Sequence, residues 1–132
     1  MKIIVEDFFS VATCRENPKK LYVFGDNLDR VGKGGQAMIR DEPNTFGLAT
    51  KYNVAESFSD DKLGFNVQNI LDECESLARM GESYDAIVFP SRGLGTGLAA
   101  LQALAPRTFL LLCSALLEKF EFNNMAYLVP LK

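Results

Sequence analysis

The chain has no histidine among its 132 residues, and that gap removes a whole class of mechanisms: neither a Ser-His-Asp triad nor a Cys-His pair can be assembled. Cysteine is scarce too. Cys14, Cys74 and Cys113 lie far apart with no Cys-x-x-Cys pair, so a structural zinc site has no ligand set and no metal is expected. An odd cysteine count without a secretory signal peptide fits a reducing compartment, and the expected location is the cytoplasm. No apolar run reaches the ~18 residues that span a bilayer, so no membrane partner is expected. Positive charge is also short. Lys and Arg number 14 against 17 Asp and Glu, giving a net charge of −3 and a pI near 5.0. General nucleic-acid binding, which rests on many phosphate contacts from Lys and Arg, is excluded on that balance.

What is present reads as an ordinary globular chain, 48% hydrophobic and 23% charged, with enough length for one core. No repeat, low-complexity tract or linker breaks it, so residues 1–132 are read as one domain. "KIIV" reads as a strand, followed by a helix in "EDFFSVATCREN" that Pro18 ends. "KKLYVFGDN" holds an apolar strand over residues 21–24 that breaks at Gly25, and a short helix is expected near Gly35. "TFGLATK" is a further strand. From Leu63 the spacing turns helical, with Phe65, Val67, Ile70, Leu71, Cys74, Leu77, Ala78 and Met80 on one face and Asp72, Glu73, Glu75 and Arg79 on the other; Gly81 is the expected C-cap. "YDAIVFP" is a continuous apolar strand of the kind buried on both faces, a helix should run from Pro106 to about Lys119, and "MAYLVP" reads as a last strand. Cys74 and Cys113 fall in helices as small buried residues. Phe8, Phe9, Phe24, Phe65, Phe89, Phe109 and Phe120 fall at core spacing.

Strands alternating with helices predict an α/β protein: a three-layer α/β/α sandwich around a mixed, largely parallel sheet of about five or six strands. Residues 21–24 and 86–89 should be interior neighbours in it. Each of these two strands is followed by a glycine-rich loop and a helix, "GDNLDRVGKGGQA" in one case and "PSRGLGTGLAA" in the other. In open α/β sheets ligands bind beyond the carboxyl ends of the strands, and glycines let backbone amides approach an anion such as a phosphate. Neither loop has the spacing of a P-loop or of a dinucleotide fingerprint.

"IVFPSRGLGTGLAAL" resembles the second ligand loop of the macro domain superfamily, and "VFGDNLDRVGKGGQAMIR" is similar to its first; "LATK" resembles the strand that follows in the TARG-like branch. The run from "VFGDN" through "GGQAMIRDEPNTFGLATK" looks like small macro-like proteins of phages and bacteria. This resemblance implies a macro-domain-like fold and an ADP-ribose-type ligand, with an ADP-ribosylated macromolecule as the wider partner class. It implies that Gly93, Leu94, Gly95, Thr96 and Gly97 hold a diphosphate through backbone amides, with Ser91 or Arg92 at the rim. It places Asn27, Gly34, Gly35 and Gln36 at the distal ribose, and Gly25, Arg40, Thr50 and Lys51 complete the binding set. No cofactor is implied.

Two functions stay open at this point: removal of ADP-ribose from an adduct, and binding alone as a reader or sponge of a nucleotide signal. TARG-like hydrolases carry an acid directly after the second loop's Gly-Leu, where this chain has Ala99. Hydrolysis would therefore need a positioned water, with Asp26 and Asn27 as the catalytic candidates; Asp26 reads equally as a turn residue. Tyr52 is a candidate for stacking on a purine or nicotinamide, and the polar stretch 52–62 reads as a lid.

Overall fold

A computed structural model describes residues 2–94 and 100–120 of the chain. Four strands, β1 (Lys2–Glu6), β2 (Lys20–Asn27), β3 (Thr45–Lys51) and β4 (Ala86–Pro90), form one sheet in the order β1-β4-β2-β3, and every pairing in it is parallel. β2 and β4 are the two interior strands and neighbours, as the apolar runs predict. "MAYLVP" lies outside the described residues.

The alternation of side chains along β2 explains the layering. Leu21 and Val23 enter one core with Ile70, Cys74 and Leu77 of helix α2 (Leu63–Gly81) and with Phe109, Leu112 and Leu116 of helix α4 (Pro106–Lys119). Tyr22 and Phe24 enter a second core on the opposite face, with Phe9, Cys14, Ile39 and Val88. That face is covered by helix α1 (Val11–Glu16) and a short 3-10 turn, Gly35–Ile39. The result is the expected three-layer arrangement. Strands that are apolar on both faces are what such a sandwich requires. A four-residue helix, α3 (Leu101–Leu104), leads into α4, whose first residue is Pro106, where a missing N–H costs nothing.

Several boundaries differ from the sequence pattern for local reasons. α1 starts only at Val11, because Ser10 and Thr13 form a reciprocal capping box. Phe8 is thereby left in the turn before the helix and is 63% exposed, outside the core. Phe65 is likewise exposed, on the outer face of α2, with its ring tilted to that of Tyr52 at 6.3 Å between centres. The buried residues of α2 are Asn66, Ile70, Glu73, Cys74, Leu77 and Gly81, so Glu73 faces inward instead of solvent. Gly81 is the last helical residue, and Glu82 takes the cap position.

Segment 52–62 is pinned by its own contacts. Phe58 is buried in the core, and the Tyr52 hydroxyl donates to Asn66 Oδ1 at 2.8 Å. Asp60 accepts from the main-chain amides of Arg107 and Thr108, each at 3.0 Å, at the start of α4. Asn66, fully buried, donates to Ser59 O and Thr108 Oγ1. Tyr52 also carries the Lys62 ammonium over its ring at 4.8 Å and packs on Phe58. Its hydroxyl and its ring are thus both engaged within the fold.

Candidate functional site

Parallel pairing sends the loops that leave β2 and β4 from the same end of the sheet, with β2 running on past its pairing with β4 to Asn27. β2 does not break at Gly25. It continues in register with β3, Gly25 opposite Leu48 and Asp26 opposite Ala49, and the register shifts only between Asp26 and Asn27. Gly25 is therefore a strand residue. Thr50 is a buried residue of β3 whose hydroxyl makes a long, 3.5 Å, contact with the Asp26 carbonyl.

The strand can carry a buried aspartate because arginines meet it. Asp26 Oδ2 accepts from Arg40 Nη1 at 2.8 Å and Oδ1 from Arg40 Nη2 at 2.6 Å, a bidentate pair, and Arg30 Nη1 adds a contact at 3.4 Å. Arg40 then reaches the loop itself, with Nε donating to Gly32 O at 2.8 Å and Nη2 to Val31 O at 3.1 Å. Its guanidinium lies 5.3 Å from the centre of the Phe24 ring. The two residues read as ligand contact and general base are thus partners in an ion pair that ties down the first loop. Both oxygens of that carboxylate are already engaged by guanidinium groups.

Asn27 completes the tether. Its Nδ2 donates to Val31 O at 2.8 Å, and the chain reverses through Arg30, whose φ is +59° and whose amide donates to Asn27 O. Carbonyls of Val31 and Gly32 are drawn inward by these side chains. Among the described residues, the amides of Val31, Gly32, Lys33 and Gly34 donate to no protein acceptor, and all four residues are exposed. Such a run of free amides leaves four donors available to an anion. Beside it, Asn27 is only 7% exposed, and its Oδ1 is buried with no partner. Buried polar atoms without a partner are rare because leaving one unpaired costs about 1–3 kcal/mol.

The remaining candidates divide. Gln36 is committed to the fold: its Oε1 accepts from Phe9 N at 2.8 Å and its Nε2 donates to Phe9 O at 2.6 Å. Lys51 Nζ bonds Val54 O at 2.5 Å, and Lys33 pairs with Asp41 on the surface. Gly34 and Gly35 sit in the exposed part of the loop with no atom near the place of a side chain, and Gly35 has φ of +56°. In the second loop, Ser91 Oγ is 2.7 Å from Asp7 Oδ1, Arg92 is exposed, and Gly93 turns with φ of +87°. Leu94 is 3% exposed and part of the core beneath. Gly95, Thr96, Gly97 and Ala99 lie outside the described residues.

Three residues that the pattern passed over support the site. Arg30 Nη1 donates to Gly47 O at 2.6 Å, and its Nη2 lies 3.2 Å from Glu73 Oε1, which accepts from Ala49 N at 2.8 Å. Glu73 Oε2 also takes the Asn69 amide. Gly47 is needed because a side-chain carbon there would lie 2.9 Å from Asp26 Cγ. An isolated glycine inside a strand signals such a close approach, and Gly47 was the readable clue.

The chemistry available is limited. Burial pushes Cys14 and Cys113 up to about 11 and Cys74 to about 12, so all three stay as thiols at neutral pH. Among the described residues no group of three His, Cys, Asp or Glu side chains could hold a metal ion. No helix among them is long and apolar enough to cross a membrane.

Fold and loops together define a parallel α/β protein with two loops leaving the same end of its sheet. Over residues 4–115 the chain matches the model of DUF7831, a family of unknown function, and it belongs to that family. No curated protein and no solved structure matches it.

Proposed function

We propose that the chain binds ADP-ribose, or a related NAD-derived nucleotide, in the crevice at the carboxyl ends of β2 and β4, and that it does so as a reader or sponge in the cytoplasm. The observation that carries this reading is the pairing of a buried, unpartnered acceptor with a run of free donors: Asn27 Oδ1 beside the amides of Val31, Gly32, Lys33 and Gly34. A ligand with a hydroxyl next to an anionic group satisfies both at once, and a sugar phosphate has that chemistry. The macro domain resemblance of both loops points to the same ligand. Three free cysteines fit the reducing compartment.

Binding without turnover is favoured over hydrolysis because Asp26 is held by Arg40 on both oxygens and Arg30 on one. Calorimetric titration with ADP-ribose tests the binding, and mass spectrometry after incubation with ADP-ribosylated protein tests the turnover. The expected result is saturable one-site binding that Asn27→Ala weakens, with the adduct left intact. Absence of heat with ADP-ribose removes the reading; release of ADP-ribose at enzymatic rates moves it to the hydrolase.

A further inference from the structure

Bonds from the two glycine-rich loops meet on the last residue of β1 and the turn between β1 and α1. From the first loop, the Gln36 amide engages both main-chain groups of Phe9. From the second, Ser91 N donates to Glu6 O at 2.7 Å, and the Ser91 hydroxyl meets the Asp7 carboxylate at 2.7 Å. The turn itself is rigid on independent grounds. Phe9 is fully buried and packs on the Tyr22 ring at 5.0 Å, and the next residue, Ser10, closes the capping box of α1. A turn with one side chain sunk in the core and the next locked to a helix has little freedom to follow either loop. The loops must follow it.

We propose that this turn, residues 7–10, is the shared anchor that sets the two loops relative to each other, with Gln36, Ser91 and Asp7 as positioning residues. None of the three needs to touch a ligand to do this. The inference extends the nucleotide-site reading by naming what holds the crevice at its width, so its consequence for affinity rests on that reading. Its mechanical content does not.

Amide hydrogen exchange on the whole protein separates the two. Gln36→Leu keeps bulk but cannot bond Phe9, so the Phe9 amide should exchange faster. Coupling through the turn predicts that the Ser91 amide, which is bonded to Glu6 and not to Gln36, also speeds up by ~10-fold, the size of one lost hydrogen bond. Gln36→Glu keeps the acceptor for Phe9 N and loses the donor to Phe9 O, so its effect at Ser91 should be intermediate; it also keeps the test open should Gln36→Leu fold poorly. Reciprocally, Ser91→Ala combined with Asp7→Ala should speed exchange at Phe9. Acceleration confined to the mutated loop in both directions overturns the proposal. Titration of the same variants with ADP-ribose is the second readout, expected to show ~10-fold weaker binding for each change and less than the product when combined. A parent protein that ignores ADP-ribose defeats the nucleotide reading alone, since the exchange result still decides the anchor.

Discussion

Asp26 and Asp60 each organise a loop, and they do so by opposite means. The Asp26 side chain is 2% exposed and is held by two guanidinium groups, so its charge is answered by charge inside the protein. Asp60 lies near the surface and is held by the first main-chain amides of α4 and by the Thr108 hydroxyl. One arrangement is costly to break, because losing Arg40 leaves the buried Asp26 carboxylate with only the longer Arg30 contact. The other is a helix cap, which contributes a modest amount and leaves water as a substitute. The difference separates the rigid floor of the candidate site from the strap, residues 52–62, beside it.

The largest effect should come from breaking the buried pair. Arg40→Ala should cost about 3 kcal/mol in urea unfolding, with Arg30 retaining part of the compensation. The matched replacement Asp26→Leu with Arg40→Met should recover most of that loss; equal instability of single and double variants would mean that the charge pair is not the cause. Next in size is Gly47→Val, expected to cost about 1–3 kcal/mol because the new side chain meets the Asp26 carboxylate. In an Asp26→Ser background the penalty should shrink, and a cycle with no coupling would remove the steric explanation.

Asp60→Ala should be smaller, about 1 kcal/mol as for a lost cap. Its acid dependence has a definite sign. Burial alone raises the Asp60 carboxyl, but hydrogen bonds from the Arg107 and Thr108 amides and the Thr108 hydroxyl, with the Arg107 charge, outweigh it and hold the group below the usual carboxylate range. A depressed carboxyl stabilises the fold above its unfolded value of about 3.9, and that contribution is lost as pH falls through the folded value. The stability difference between parent and Asp60→Asn should therefore stay level from neutral pH to about 5 and close below about 4. Smallest of all, Arg15→Ala should leave the urea midpoint close to that of the parent, since its partner Glu42 is met at a surface where Arg15 is 70% exposed. A larger loss would show that surface pairs count here as buried ones do.

Apolar periodicity carried most of the fold, because burial on both faces leaves a plain mark in β2 and β4. α4 was legible to its ends through Pro106. What the pattern could not carry was polar burial. Glu73 looks like one more acidic residue on a helix surface, and only the fold brings Arg30 and the edge of β3 to it. Asp26 and Asn27 suit a turn in isolation, and it takes Arg40, fourteen residues on from Asp26, to let the strand run through them. The bonds from Gln36 to Phe9 are invisible in the sequence, since a glutamine beside glycines looks the same whether it faces a ligand or a neighbouring turn.

Nucleotide binding at the β2 loop is tested most directly by a nitrogen–proton NMR titration of the whole protein with ADP-ribose. Saturable shifts are expected at the main-chain amides of Val31, Gly32, Lys33 and Gly34 and at the Asn27 side-chain amide, all with one affinity. Shifts confined to the opposite edge of the sheet, around the groove lined by Lys2, Lys19 and Lys20, would contradict it, as would a spectrum that does not change.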